Sequence, residues 1–318
     1  MISKNRRDFV KKSALAIGAI PLLGFSNSAL QWVNGSGNND LSVNIFSKHL
    51  QFLDYKTTGE MAASMGFSGV DLTVRPKGHV LPDHVKVDLP KAIADIKLGG
   101  SQCNMITTSV ENVNNPLDVD VIKTAAKCGV NFYRTNWFKY LEGETLEASI
   151  NFYKNQVQAL SELNAQHNIV GCYQNHAGVK VGASFWEVKA ILELANTTFF
   201  GTQYDIRHAV VEGGNSWVNG LNLLQNHIKV IVLKDFKWGL VNGQWKIVNV
   251  PIGEGMVDFD TYFKILKKYK LKPPVSLHLE YDLGGAEKGQ DEISIDKKVV
   301  FDAMKKDLST VQKMWNQA

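Results

Sequence analysis

The sequence predicts an α/β fold, a closed (β/α)8 TIM barrel with a β-hairpin inserted after its seventh strand. Three observations carry that reading. Apolar runs of strand length alternate with amphipathic helical stretches eight times, the pattern of a parallel sheet covered by helices. No Gly-x-Gly-x-x-Gly turn follows the first run, so the runner-up, a doubly wound open sheet, lacks its dinucleotide-binding form. Asn242-Gly243 stands between apolar residues inside the segment Trp238 to Gly255, a strong hairpin signal placed where barrel loops build active sites.

Taken in order, the chain begins with a segment to be set apart from the fold. Residues 1–30 read as an export signal of the twin-arginine type: Arg6-Arg7-Asp8-Phe9 precedes an apolar run from Ala14 to Phe25, then the small residues Ser26, Ser28 and Ala29. The run falls short of the roughly 20 residues that span a bilayer, so no stable membrane insertion is expected once the signal is removed. Export implies a periplasmic location. The signal also carries the charge. Lys4, Arg6, Arg7, Lys11 and Lys12 against Asp8 give five minus one, the whole formal net charge of +4. The remaining body is near neutral and has no basic run interleaved with aromatics, which argues against nucleic acid as a partner. Residues 31–40, rich in Gly, Asn and Ser, read as a linker, and 41–318 as the barrel domain.

Strands are expected at about 41–47, 69–75, 102–108, 131–137, 169–176, 199–205, 228–235 and 274–281. Helical patterns lie between them near 57–65, 89–98, 118–127, 146–166, 185–195, 217–226 and 259–269, and 295–315 closes the chain. About 280 residues after the signal is an ordinary size for such a barrel. Cys103, Cys128 and Cys172 are odd in number and set among apolar residues, so they read as thiols rather than a disulfide framework.

Polar chemistry concentrates at the strand ends. Phe199 to His208 starts as an apolar strand and ends in Asp205-Ile206-Arg207-His208, read as a strand running out into a loop. Gln174-Asn175-His176, Lys234-Asp235 and His278-Leu279-Glu280 repeat the pattern. Side chains alternate along a strand, so Gln174 pairs with His176, Val232 with Lys234, and His278 with Glu280. Strand two adds Arg75 and its loop His79, strand four Trp137, and strand one His49. Charged groups are rarely buried unless paired or ligating, so several of them at apolar strand ends point to one site for a small polyhydroxylated molecule. The alternative is a structural ion-pair network joining Asp205 and Glu280 to Lys234 and Arg75.

These stretches, with Met65-Gly66-Phe67-Ser68-Gly69-Val70-Asp71, Pro251-Ile252-Gly253-Glu254-Gly255 and Leu279-Glu280-Tyr281, resemble the xylose isomerase-like TIM-barrel superfamily of sugar isomerases and epimerases over everything after residue 40. The resemblance implies a divalent metal (Mn, Zn, Mg or Co) held by a glutamate, an aspartate, a histidine and a glutamate on strands five to eight. Asp205 and Glu280 match two of those ligands, and His208 matches a substrate-contacting histidine. Gln174 and Val232 stand where the other two ligands are expected; an amide is no proton-transfer base and valine binds no metal. His176 or His278 joining Asp205 and Glu280 would restore a mixed nitrogen and oxygen set; a metal-free site with Lys234 as the cation is the other reading.

The expected chemistry is proton abstraction beside a carbonyl of a non-phosphorylated sugar or keto-sugar through an enediolate. Glu280, His176 and Lys234 are the expected catalytic residues; Asp205, Glu280 and His176 the metal ligands; His208, Arg75, His49, His79, Gln174 and Trp137 the substrate contacts. The outcome is isomerisation or epimerisation, with a 3-keto-glycoside lyase or hydratase and a non-catalytic sugar-binding barrel as alternatives. A homo-oligomer is left open.

Overall fold

The computed structural model describes residues 40–318, so the segment read as an export signal and all but the last residue of the one read as a linker lie outside the described residues. Eight parallel strands close into a barrel: β1 (Val43–Phe46), β2 (Gly69–Val74), β3 (Met105–Thr108), β4 (Phe132–Arg134), β5 (Val170–Gln174), β6 (Phe200–Asp205), β7 (Ile228–Leu233) and, after an antiparallel hairpin of β8 (Asp235–Val241) and β9 (Gln244–Val250), β10 (Val275–Leu277). Each barrel strand lies inside its expected range. The ring closes where β1 pairs with both β2 and β10, Asn44 against Gly69 and Val43 against Val275. The Asn242-Gly243 turn has φ of 51° and 75°, the left-handed pair that lets a two-residue loop follow the strand twist.

The helices are α1 (Tyr55–Met65), α2 (Val85–Leu98), α3 (Pro116–Lys127), α4 (Leu146–His167), α5 (Phe185–Ile191), α6 (Ile206–Gly213), α7 (Trp217–Leu224), α8 (Phe259–Lys268) and α9 (Lys297–Gln317). Side chains cap most of their N-termini: Asp54, Asn115, Thr145, Ser184, Asp258 and Asp296 each accept a first-turn N–H. Helix α2 begins four residues before its expected start and carries Pro90 in its interior. The larger correction is α6. Residues after Asp205 form a helix, not a loop, since Asp205 accepts the His208 N–H at 3.0 Å and so serves as N-cap. Ile206 and Ala209, three apart, bury its inner face.

Strands β2 and β6 are buried along their whole length, as strands covered on both faces must be. Inside the barrel, the Asp71 carboxylate accepts hydrogen bonds from Thr107 Oγ1 at 3.0 Å and Ser276 Oγ at 2.5 Å, which offset part of its burial cost; burial still raises its pKa. All three cysteines are free, Cys103 and Cys172 buried and Cys128 half-buried. Among the described residues no helix is long and apolar enough to cross a membrane.

Candidate active site

The strand order β10-β7-β6-β5 sets the polar ends of four neighbouring staves side by side at the carboxyl mouth. At the end of β6, Asp205 is fully buried. Its Oδ2 accepts from Gln174 Nε2 at 2.8 Å and lies 3.1 Å from Lys234 Nζ, while Oδ1 takes the His208 N–H. Lys234, just past β7, also places Nζ 2.9 Å from His208 Nε2. Gln174 Oε1 accepts from Arg134 Nη1 at 2.9 Å, and that guanidinium stacks 4.2 Å over the Trp137 ring. A chain of charge-assisted contacts therefore runs Arg134, Gln174, Asp205, Lys234 across four staves.

Flanking this row are His176 and Glu280. The His176 ring packs between Trp137 at 4.4 Å and His208 at 4.1 Å, and its Nδ1 lies 2.8 Å from the Ala177 carbonyl. A carbonyl only accepts, so Nδ1 carries the proton and Nε2 is the acceptor nitrogen. Burial, then repulsion from Lys234, pushes His176 down to about 4, so it is a neutral imidazole near pH 7. On the other side Glu280 Oε2 accepts from Lys48 Nζ at 3.0 Å, and Oε1 lies 3.6 Å from His278 Nδ1. Burial alone would raise Glu280; contact with His278 and the charges of Lys234 and Lys48 outweigh it and hold the carboxyl well below the ordinary range. The mouth collects five cations, Lys48, Arg75, Arg134, Arg207 and Lys234, against three carboxylates, Asp71, Asp205 and Glu280. That excess favours negative charge developing on a bound molecule.

Other expected contacts divide into two groups. Arg75 lies 5.5 Å over the Phe46 ring, which in turn stacks on His278 at 4.1 Å, so it borders the mouth. His208 is buried, with Arg207 Nη1 3.1 Å from Nδ1 and Lys234 at Nε2. Gln174 touches Arg134 and Asp205, which makes it a positioning residue for the carboxylate. His49, expected against substrate, is instead locked under the loop after β10: its Nε2 accepts the Leu279 N–H at 3.0 Å, Nδ1 faces the Ala286 carbonyl, and nothing of the ring is exposed. His79 lies with Thr73 beside a cleft of about 760 Å³ lined by Gln51, Asp88, Asp291 and Glu292, apart from the Lys234 row.

The metal set expected from Asp205, Glu280 and His176 does not come together. Among the described residues no group of three or more His, Cys, Asp or Glu side chains is arranged to hold an ion. The donor chemistry gives the reason: both Asp205 oxygens are already engaged, Glu280 is paired with Lys48, and the Lys234 ammonium fills the space beside Asp205 that a cation would take. The residues present do not fit a divalent metal.

Sequence reasoning passed over Lys48, Arg207 and Asn249. Strand alternation could have placed none of them, because Lys48 lies in a 3-10 turn, Arg207 in the unexpected α6 and Asn249 in the hairpin. Arg207 Nη2 donates to Asn249 Oδ1 at 2.5 Å, and Asn249 Nδ2 donates to the Glu280 carbonyl at 3.2 Å, so the hairpin is tied to the site. Asp235 anchors its base, accepting N–H groups of Phe236, Gly253, Gly255 and Val257.

The buried histidines make folding pH-dependent. Burial pushes His278 down to about 4, so it folds as the neutral ring, whereas the unfolded chain binds a proton below about 6.5. A depressed pKa contributes stability that is whole above the unfolded value and is lost as pH falls, here from about 6.5 toward 4 and by roughly 3 kcal/mol. Urea denaturation between pH 7.5 and 4.5 is expected to show that decline, and His278→Gln to flatten it.

The sequence profile described as a xylose isomerase-like TIM barrel matches residues 60–295. No curated protein matches by sequence. Among solved structures, the 3-keto-D-glucoside 4-epimerase of E. coli superimposes with a TM-score of 0.62 at 12% identity, covering 85% of this chain and 99% of that one. The probable 3-DHS dehydratase involved in petrobactin synthesis from Bacillus anthracis gives 0.63 at 14%, covering 85% and 98%. The IOLI protein with a bound zinc atom gives 0.66 at 15%, covering 86% and 99%. At these identities the likeness shows the shared fold.

Proposed function

Because the chain belongs to the xylose isomerase-like TIM barrel family, we propose that it is an enzyme that removes a proton beside the carbonyl of a non-phosphorylated keto-sugar, with the Lys234 ammonium as the cation that stabilises the developing oxyanion. The observation that carries this reading is the position of Lys234 Nζ, 3.1 Å from Asp205 Oδ2 and 2.9 Å from His208 Nε2, between His176 on one side and Glu280 on the other. Export by the twin-arginine route, inferred from the N-terminal sequence, supports a free sugar or glycoside over an intracellular phosphate.

In the proposed step the substrate carbonyl oxygen sits against Lys234 and the His176 Nε2 lone pair takes the neighbouring C–H proton. The C–H electrons form the carbon–carbon double bond of the enediolate and the carbonyl electrons move to oxygen, where Lys234 and its cationic neighbours stabilise the charge. Return of that proton from the His176 imidazolium to the neighbouring carbon completes an isomerisation, and a proton delivered to the opposite face by the Lys48 ammonium, which donates to Glu280 Oε2 at 3.0 Å, completes an epimerisation. A second reading uses the same enediolate: where a leaving group stands on the next carbon, its expulsion gives a lyase. The dehydratase and the 3-keto-D-glucoside epimerase of the same fold are consistent with either outcome.

The test is incubation of keto-hexoses and 3-keto-glucosides with purified protein in D2O, read by proton NMR. Deuterium at the carbon beside the carbonyl is expected for at least one of them. Sugar binding with no exchange into any would contradict the proposal and leave a non-catalytic sugar-binding barrel.

A further inference from the structure

The hairpin carries a feature the proton chemistry does not use. In an antiparallel pair, residues directly opposite share a face, and residues two apart along a strand share it too. The register Phe236 to Asn249, Trp238 to Ile247 and Leu240 to Trp245 therefore puts all six on one side. Beyond the base, the other side carries Lys237, Lys246 and Gln244 together with Gly239, Val241 and Val248, and no aromatic ring. One face is thus apolar and aromatic beyond its base, and it is left bare: Trp238 is 43% exposed, Leu240 62% and Trp245 71%. A contiguous exposed patch of apolar and aromatic side chains marks a binding surface, unlike single exposed apolar residues.

Two contacts make this face continuous with the candidate site. Asn249 bonds both Arg207 and the Glu280 carbonyl, and Phe236 lies under the Arg207 guanidinium at 5.4 Å, with Trp238 edge-on to it at 6.1 Å. From that base the strands climb about 3.4 Å per residue, so Trp238 lies about 7 Å beyond Phe236 and Trp245 about 14 Å beyond Asn249. A single sugar ring held at Lys234 does not need a platform of that length. Indole faces offer broad apolar area with one polar edge, which suits the C–H face of a pyranose or an aromatic aglycone, whereas a phosphate or carboxylate would be drawn to the lysine side.

We propose that the Trp238–Trp245 face is a subsite for a second ring, so that the substrate class is a glycoside, a keto-sugar still joined to an aglycone or a further sugar, rather than a free monosaccharide. The proposal deepens the functional reading above and rests on the site described there. Asp235, clamped by four backbone N–H groups, holds the hairpin base in place. Arg207 and Asn249 set the junction between the reacting ring and the second one.

The experiment is calorimetric titration of the mature protein with matched pairs, each free monosaccharide against its phenyl glycoside, for wild type, W238A/W245A and K234M. The phenyl glycoside of at least one pair is expected to bind about tenfold or more tighter than its sugar, from burial of an aromatic ring on the indoles. W238A/W245A is expected to lose that preference while keeping its affinity for the free sugar and its melting temperature. K234M is expected to keep the preference. Equal binding within every pair, or a preference untouched in W238A/W245A, overturns the subsite. If sedimentation shows W238A/W245A turning a dimer into monomers with the preference intact, the face is a subunit contact and the proposal also falls. Preference without deuterium exchange in any wild-type assay would retain the subsite and overturn the proton chemistry instead.

Discussion

Lys234→Met is expected to lower kcat/KM for solvent proton exchange by about 10²–10³-fold, the loss typical when a preorganised charge at a developing oxyanion is removed. Methionine keeps the length of the stem and deletes only the ammonium. The effect falls mainly on kcat, because Lys234 acts on charge that appears as the proton leaves, while the neutral sugar is held by the surrounding side chains. Stability should fall as well, by about 3–5 kcal/mol if Asp205 loses its partner outright, and by less here because Gln174 and the His208 N–H still donate to it. Kinetics taken well below the melting temperature of the variant separate the two effects. An unchanged kcat in a folded K234M protein would remove the lysine from the chemistry.

His176→Gln carries the second large effect, about 10²–10⁴-fold in kcat, because the amide preserves size and polarity but takes no proton. The pH profile gives the independent readout. Burial and Lys234 push His176 down to about 4, so the base form dominates above that pH and is lost below it. Wild-type kcat/KM is therefore expected to be flat from about pH 6 to 8 and to fall as pH drops through about 4 to 5, with circular dichroism at each pH separating that limb from acid unfolding. In His176→Gln that limb should vanish along with most of the rate. A limb that persists unchanged would take His176 out of the role of base.

Much of the scaffold was legible because it depends on local signals. Apolar runs of strand length fall on each of the eight staves, and Asn242-Gly243 marks the hairpin turn at its tip. Helix α6 was missed because Asp205 was read for its charge alone; the same carboxylate is also an N-cap, and Ile206 with Ala209 already carried the helical spacing. The site was legible only to the level of which side chains stand at the mouth. Alternation along β5 and past β7 put Gln174 with His176 and Val232 with Lys234, but pairings across staves depend on barrel register, which no single strand encodes. Hence His49 looked available and is consumed by the Leu279 N–H and the Ala286 carbonyl, while Lys48, its neighbour, reaches Glu280. The substitutions at Gln174 and Val232 were visible at once. Their meaning came from space: Gln174 now braces Asp205 from one side and Lys234 fills the other.

The most direct measurement of the central claim is metal content together with exchange activity. Mass-spectrometric metal analysis of the purified protein, followed by dialysis against a chelator and repetition of the D2O assay, separates a lysine-centred site from an ion-centred one. The account predicts well under one divalent ion per chain and exchange that survives the chelator. One ion per chain that is lost in Glu280→Gln, and exchange that stops on chelation and returns with added manganese or zinc, would contradict it.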